Sequence, residues 1–222
     1  MHFLITAGPT REPLDPVRFL SNRSSGKMGY ALAEAALAAG HEVTLLTGPV
    51  ALSIAPREGL TLRRIESAQD LWEAACRACA DTQRPIDIAI LAAAVADYRP
   101  KQKAEQKIKK HDENLTLELE RTPDVLGSMR QPFGFTGFLV GFAAETQHLI
   151  ENAQGKLQRK GCDLLVANDV SGPQTGFDSE ENKVILCFPS GKTEELPQQP
   201  KSALAHEIVR RCVALATART PT

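Results

Sequence analysis

The chain has 222 residues, with 26 Lys and Arg against 27 Asp and Glu, 42% apolar residues and 24% charged ones. This is the balance of a folded globular chain; it excludes a disordered tail, a collagen-like repeat and a global charge that would hold nucleic acid. The longest apolar run, Ile88 to Ala96, has nine residues, against the ~20 that a membrane span needs.

Phe3 to Ala7 reads as a buried strand stopped by Gly8-Pro9. Thr10 to Gly26 is a long polar connection, of a length that loops reach mostly for function. Lys27 to Ala39 is Ala-rich and helical, and Gly40 supplies the stop. Strands are expected at Glu42 to Leu46 and Leu60 to Ile65, then a helix from Ser67 to Asp81, with Ser67 as cap and Asp70 three residues later. Ile86 to Ala94 is apolar except for Asp87, the mark of a central strand covered on both faces.

Arg99 to His111 is a basic loop, and Leu115 to Glu120 alternates like a half-exposed strand. Pro123 to Met129 reads as a short helix with Pro in its first turn. A strand at Phe138 to Ala143, a helix at Thr146 to Arg159 and a strand at Asp163 to Ala167 follow. Lys183 to Phe188 with Gly191-Lys192 suggests a late hairpin, and Ser202 to Ala218 a closing helix.

Strands alternating with helices predict an α/β fold, a mostly parallel sheet with helices on both faces. No break of composition divides the chain, so residues 1–222 read as a single domain. The odd set of five cysteines, and a start without a basic n-region, are read as a reduced, cytoplasmic chain with no signal peptide. Ligands of such sheets lie beyond the carboxyl ends of the strands. Those ends carry Gly8-Pro9-Thr10, Ala93 to Asp97, Ala143-Ala144-Glu145 and Asn168-Asp169.

Ser24, Ser25 and Gly26 precede the first helix, whose free N–H groups favour an anion. Phosphate binding and an ordinary N-cap both fit this segment. A Walker A loop does not, because Ser21 and Met28 stand where it needs Gly and Ser or Thr, and GxGxxG is absent. Ala92 to Asp97 combines small side chains, which leave room for a ring or ribose, with a carboxylate able to accept sugar hydroxyls. Arg99 to His111 carries a net charge of +5 in thirteen residues, enough for a mobile lid to close over a polyphosphate, although such runs are usually solvated. Lys156 and Lys160 share one helix face, near a C-terminus that cations favour in any case. Cys76 and Cys79 have CxxC spacing but lie within a helix, with no second pair at zinc spacing.

TREPLDPVRFLSNRSSGKMG, AAAVADYRP, KIKK, TPDVL, GFAAET, KLQRKG and NDV, in that order, resemble the bacterial CTP-dependent phosphopantothenate–cysteine ligases from about residue 3 to residue 210. The resemblance implies a Rossmann-like fold and a two-step reaction. The carboxylate of 4′-phosphopantothenate is activated by CTP as an acyl-cytidylate with release of pyrophosphate. The amine of cysteine then forms the amide and releases CMP. Mg²⁺ is the implied cofactor. Implied partners are the three substrates and a second copy of the chain, with no nucleic acid and no membrane.

By the same resemblance Asn22 acts on the acyl-cytidylate, Arg18 is needed for activity, and Lys107 belongs to a lid of about residues 99–113. Ala92, Ala93, Asp97, Pro123, Asp124, Val125, Leu126, Phe142, Lys156 and Lys160 line the nucleotide. Asn168, Asp169 and Val170 lie at or near a dimer interface. No metal ligand is identified. One departure is Pro9, where relatives have Gly. In many bacteria this module follows a flavin-dependent decarboxylase, which nothing here resembles, so a stand-alone ligase and an excised domain are both expected forms. The rival readings are an NAD(P)-dependent reductase or epimerase, disfavoured by the missing GxGxxG and YxxxK patterns, and a non-catalytic nucleotide-binding module.

Overall fold

The computed structural model describes residues 1–110, 114–145, 148–169 and 179–219. In chain order its first half runs β1 (His2–Ala7), β2 (Arg11–Pro13), β3 (Phe19–Ser21), α1 (Lys27–Ala38), β4 (Glu42–Thr47), β5 (Leu60–Arg64), α2 (Ala68–Cys79), β6 (Ile88–Leu91) and β7 (Tyr98–Pro100). The second half is β8 (Leu119–Arg121), α3 (Val125–Ser128), β9 (Phe138–Glu145), α4 (Leu149–Lys160), β10 (Leu164–Asp169), β11 (Glu181–Cys187), β12 (Thr193–Pro200) and α5 (Lys201–Arg219).

Eight strands form one sheet in the order β12-β11-β10-β9-β6-β1-β4-β5. From β10 to β5 every pairing is parallel. The late hairpin β11–β12 adds antiparallel to β10. Among the six parallel strands the chain builds outward from β1 in both directions, which is the doubly wound order with its switch point between β1 and β6. The expected α/β, Rossmann-like architecture is therefore the observed one.

Both faces of the sheet are covered, and β1 shows why its sequence is continuously apolar. Phe3 and Ile5 face α1 and α5 through Leu32, Leu204 and Ile208, in one fully buried cluster. Leu4 faces the other way, toward Leu71 of α2, Val125 of α3 and Leu157 of α4. Each such side chain contributes about 1.5–3 kcal/mol on burial, so the frame that carries the loops is rigid. Local rules set the helix ends. Ser67 and Asp70 make the reciprocal capping box read from sequence, and Gly40, at φ 78°, takes the left-handed turn after α1.

The loops at the strand carboxyl ends hold more structure than their sequence announces. The polar connection after β1 contains the ribbon β2–β3. Of the strand expected at Leu115 to Glu120, only Leu119 and Glu120, extended by Arg121, form a strand, which pairs antiparallel with β7. The helix expected from Pro123 is a single turn, and Asp124 rather than Pro123 opens it by accepting from Gly127 N–H. The predicted helix start at Thr146 lies outside the described residues. Among the described residues no helix is long and apolar enough to cross a membrane.

Candidate active site

A cleft of about 940 Å³ opens at the carboxyl rim of β1, β6, β9 and β10. It gathers Asn22, Ser24, Ser25, Gly26, Ala92, Ala93, Asp97, Pro123, Asp124, Val125, Leu126, Phe142, Lys156 and Lys160, from five separate stretches of chain. Arg18 and Lys107 are not among its lining residues. Asn168 lines it as well; Val170 and the side chain of Asp169 lie outside the described residues.

The floor is shaped by three glycines that the sequence separates. Gly8 ends β1 at φ 74° and Gly26 precedes α1 at φ 81°. They nearly touch, since a Cβ built on Gly26 would lie 3.3 Å from Gly8 Cα. A Cβ on Gly29 would stand 2.5 Å from Ala7 Cβ, so only glycine lets α1 cross β1 this closely. Tight turn, close backbone approach and close helix–strand packing are the three tasks of the dinucleotide fingerprint. Here the fingerprint is split by the insertion of residues 9–25, which hides it from a motif search.

No side chain caps α1: Gly26 is its N-cap, and Ser24 Oγ accepts only from Gly26 N–H, at 3.3 Å. Of the two readings open for this segment, the ordinary N-cap fails. The first-turn residues Lys27, Met28 and Gly29 line the cleft, so the positive end of the helix dipole faces it, a setting that favours an anion.

Seven basic side chains line the cleft (Arg23, Lys27, Arg121, Lys156, Arg159, Lys160, Lys201) against two acidic ones, Asp97 and Asp124. Arg23, Arg121 and Arg159 make no ion pair among the described residues. Lys156 Nζ donates to the Phe142 carbonyl at 2.8 Å, and Lys160 pairs with Asp124. Burial opposes the charge on Asp124, but the Lys160 ammonium, the Gly127 N–H and the more distant Lys156 together hold its carboxyl below the usual range. Asn168 Oδ1 is buried without a hydrogen-bond partner, an acceptor that a bound molecule could satisfy.

Asn22 follows β3, and its Nδ2 donates to the carbonyls of Ala94 and Val95 at 3.2 and 3.0 Å. The ribbon that delivers it is itself pinned. Thr10 N–H donates to Ala94 O, Arg11 N–H to Glu66 O, and Ala68 N–H to Glu12 Oε1. Pro9 fits without loss: the bridge beside Ala94 uses Ala94 N–H to Gly8 O and Thr10 N–H to Ala94 O, neither of which needs an N–H on residue 9.

The basic segment is partly neutralised by its own ribbon. Arg99 Nε meets Glu120 at 2.8 Å and Lys101 meets Glu118 at 2.6 Å, so charge counted along the chain overstates what is free. Lys103, Lys107, Lys109 and Lys110 make no ion pair among the described residues. The segment docks on the first ribbon, where Ala104 N–H donates to Leu14 O and Ile108 N–H to Asp15 Oδ2. Sequence reading missed Lys27, Asn182 and Lys201 as cleft residues; only the return of the late hairpin and α5 brings the last two to the rim. Cys79 is pushed up to about 11 by burial and by Cys76, and no group of three metal-ligating side chains exists among the described residues.

A family model described as the C-terminal domain of the DNA/pantothenate metabolism flavoprotein matches residues 1–215. The coenzyme A biosynthesis bifunctional protein CoaBC of Vibrio vulnificus strain YJ016 is 45% identical over 214 residues, which are 96% of this chain and 52% of that protein. The chain thus spans about half the length of the curated relatives it matches. Among solved structures, the C-terminal domain of CoaBC superposes with a TM-score of 0.78 at 40% identity, over 98% of this chain and 96% of that one. The DNA/pantothenate metabolism flavoprotein from Streptococcus pneumoniae superposes with a TM-score of 0.82 at 27% identity, over 96% and 99%.

Proposed function

The chain belongs to the family of DNA/pantothenate metabolism flavoprotein C-terminal domains, and from that premise we propose that it joins 4′-phosphopantothenate to cysteine at the expense of CTP. The observation that carries this reading is the convergence of Asn22, the uncapped start of α1, Ala92 to Asp97, Pro123 to Leu126, Phe142, Lys156 and Lys160 on one strongly cationic cleft. A carboxylate and a triphosphate repel each other as they react, and a preorganised field of positive charge offsets that repulsion.

In the first step a carboxylate oxygen of the acid attacks the α-phosphorus. The bond from that phosphorus to the bridging oxygen breaks, and pyrophosphate leaves. In the second, the cysteine amine attacks the acyl carbon, the C–O bond to phosphate breaks, CMP leaves and the amine nitrogen loses a proton. Lys156 and Lys160, one turn apart on α4, face the nucleotide with Phe142 and the turn at Pro123 to Leu126. The N–H groups at the start of α1 hold a phosphate. Asn22, fixed on the backbone at the end of β6, orients the acyl phosphate for the amine. Mg²⁺ is held chiefly by substrate phosphates in such sites. The donor set fits that mode, with Asp97 the cleft carboxylate that has no ion-pair partner among the described residues; bound there, the ion neutralises phosphate charge.

A dinucleotide-dependent reductase is the weaker reading. In the usual mode a ribose binds at the end of the second strand, on an acidic residue. Here β4 ends in Thr47-Gly48, and Gly48 lies so close to Pro9 that a Cβ would fall 1.8 Å from its carbonyl oxygen. A homodimer is supported by exposed apolar side chains on two ribbons that meet through β2 and β7: Val17 and Phe19 on the first, Leu115, Leu117 and Leu119 on or before the second. The deciding experiment measures pyrophosphate release from CTP on adding phosphopantothenate, with and without cysteine. Release that requires the acid, and amide formation that requires cysteine, is the expected result; nucleotide binding with neither product overturns the proposal.

A further inference from the structure

We infer that Asp15, with Arg18, is a positioning residue that latches the basic segment to the first ribbon by gripping both backbone groups of Ile108 and thereby sets the reach of Lys107. The inference rests on the ligase reading only for the reaction that Lys107 serves.

The Asp15 side chain is fully buried, whereas Arg18 is 44% exposed. Asp15 Oδ1 accepts from the N–H groups of Val17 and Arg18, each at 2.8 Å, so one carboxylate oxygen folds the tip of the β2–β3 ribbon. Its Oδ2 accepts from Arg18 Nε at 3.0 Å and Nη2 at 2.5 Å, and from Ile108 N–H at 3.1 Å. Arg18 Nη2 also donates to the Ile108 carbonyl at 2.8 Å. The peptide groups on both sides of Ile108 are therefore held, one by the acid and one by the base of a single ion pair. Arg18 holds the Asp15 carboxyl far below the usual carboxylate range, so the clamp keeps its charge at any physiological pH.

The rest of the ribbon is pinned to the sheet rim through Thr10, Arg11 and Glu12, which makes it an anchor rather than a second moving part. Ala104 N–H on Leu14 O adds a second tether to the same segment. Lys107 thus hangs one residue from a fixed point. The arrangement also accounts for Arg18 lying outside the cleft: its guanidinium serves the segment's backbone.

Two measurements test the latch. In the first, trypsin acts on the full chain. The Lys107–Ile108 bond should resist cleavage in the wild type and open about tenfold faster or more in Asp15→Asn, which cannot hold Arg18 as an ion pair. Arg18→Gln repeats the test without touching the buried carboxylate, and an unchanged far-ultraviolet circular dichroism spectrum certifies the fold of both variants. Cleavage no faster than wild type in either variant overturns the latch. The second is a double-mutant cycle on pyrophosphate release. Asp15→Asn should lower kcat by about 10- to 100-fold, with KM for CTP little changed. In a Lys107→Ala background it should cost nothing further. Effects that multiply would reduce Asp15 to a structural residue and overturn the positioning role. A wild type that releases no pyrophosphate refutes the ligase reading, and the protease measurement then decides the latch by itself.

Discussion

At Asn22 two carbonyls, those of Ala94 and Val95, take both amide protons. The side chain is therefore a fixed element of the rim, not a freely rotating surface group. On the proposed reading, removing it spares the cations that drive attack on the nucleotide and removes a group that acts on the acyl phosphate. Asn22→Ala should release pyrophosphate at near the wild-type rate while amide formation falls by about 10²- to 10³-fold. Quenched-flow chromatography of the acyl-cytidylate would register its accumulation, and loss of both steps together would remove the assignment. The residues that motif comparison can reach, such as Asn22 and Lys160, sit in runs of distinctive composition. Lys201 and Asn182 do not; their place in the cleft depends on where β11, β12 and α5 return, which no local pattern encodes.

Where elements meet, two predictions follow from packing and charge. A methyl at Gly29 would overlap Ala7, so Gly29→Ala should destabilise the fold by about 1–3 kcal/mol, read as a lower midpoint in urea. On α5, Glu207 accepts from Arg210 and Arg211, and these two, Arg210 first, lower its pKa from 4.5 to about 2. A depressed folded-state value means that the pairing stabilises the protein above pH 4.5 and that this contribution is lost as pH falls toward 2. Urea midpoints of wild type and Glu207→Gln should therefore differ at pH 7 and converge across that window; a constant gap would rule the pairing out as its cause. Elements with long periodic or continuously apolar stretches, such as β1, β6 and α2, were legible in the sequence. The ribbons β2–β3 and β7–β8 were not read as pairs, because three-residue strands show no period and their register is set by the neighbouring ribbon. The helix start expected at Pro123 lies two residues later, at Val125, because Asp124, not the proline, satisfies the free N–H as its cap.

For the molecule as a whole, the doubly wound order puts the carboxyl-end loops of the six parallel strands on one rim, so strand order alone predicts where the cleft lies. The split glycine fingerprint is the counterexample. It is legible only after folding, since Gly8 and Gly26 meet in space and not in sequence. Val17, Phe19, Leu115, Leu117 and Leu119 are large apolar side chains exposed to solvent, which the proposed homodimer would cover. Sedimentation equilibrium should give twice the chain mass, and Val17→Asp with Phe19→Asp should return it to one. A monomeric wild type would dismiss the dimer.

The meeting of Gly8 and Gly26 at the base of an inserted stretch has a wider consequence. The stretch leaves and re-enters the chassis through one narrow neck, so its length between the points where Thr10, Arg11, Glu12 and Asn22 tie it to the rim is only loosely bound to the sheet. Closing a longer stretch adds only about 0.6 kcal/mol per doubling. On the proposed reading, a seat for phosphate could thus be kept while the interposed cassette is rewritten, which would make the identity of the acid to be activated a property of the cassette, not of the chassis.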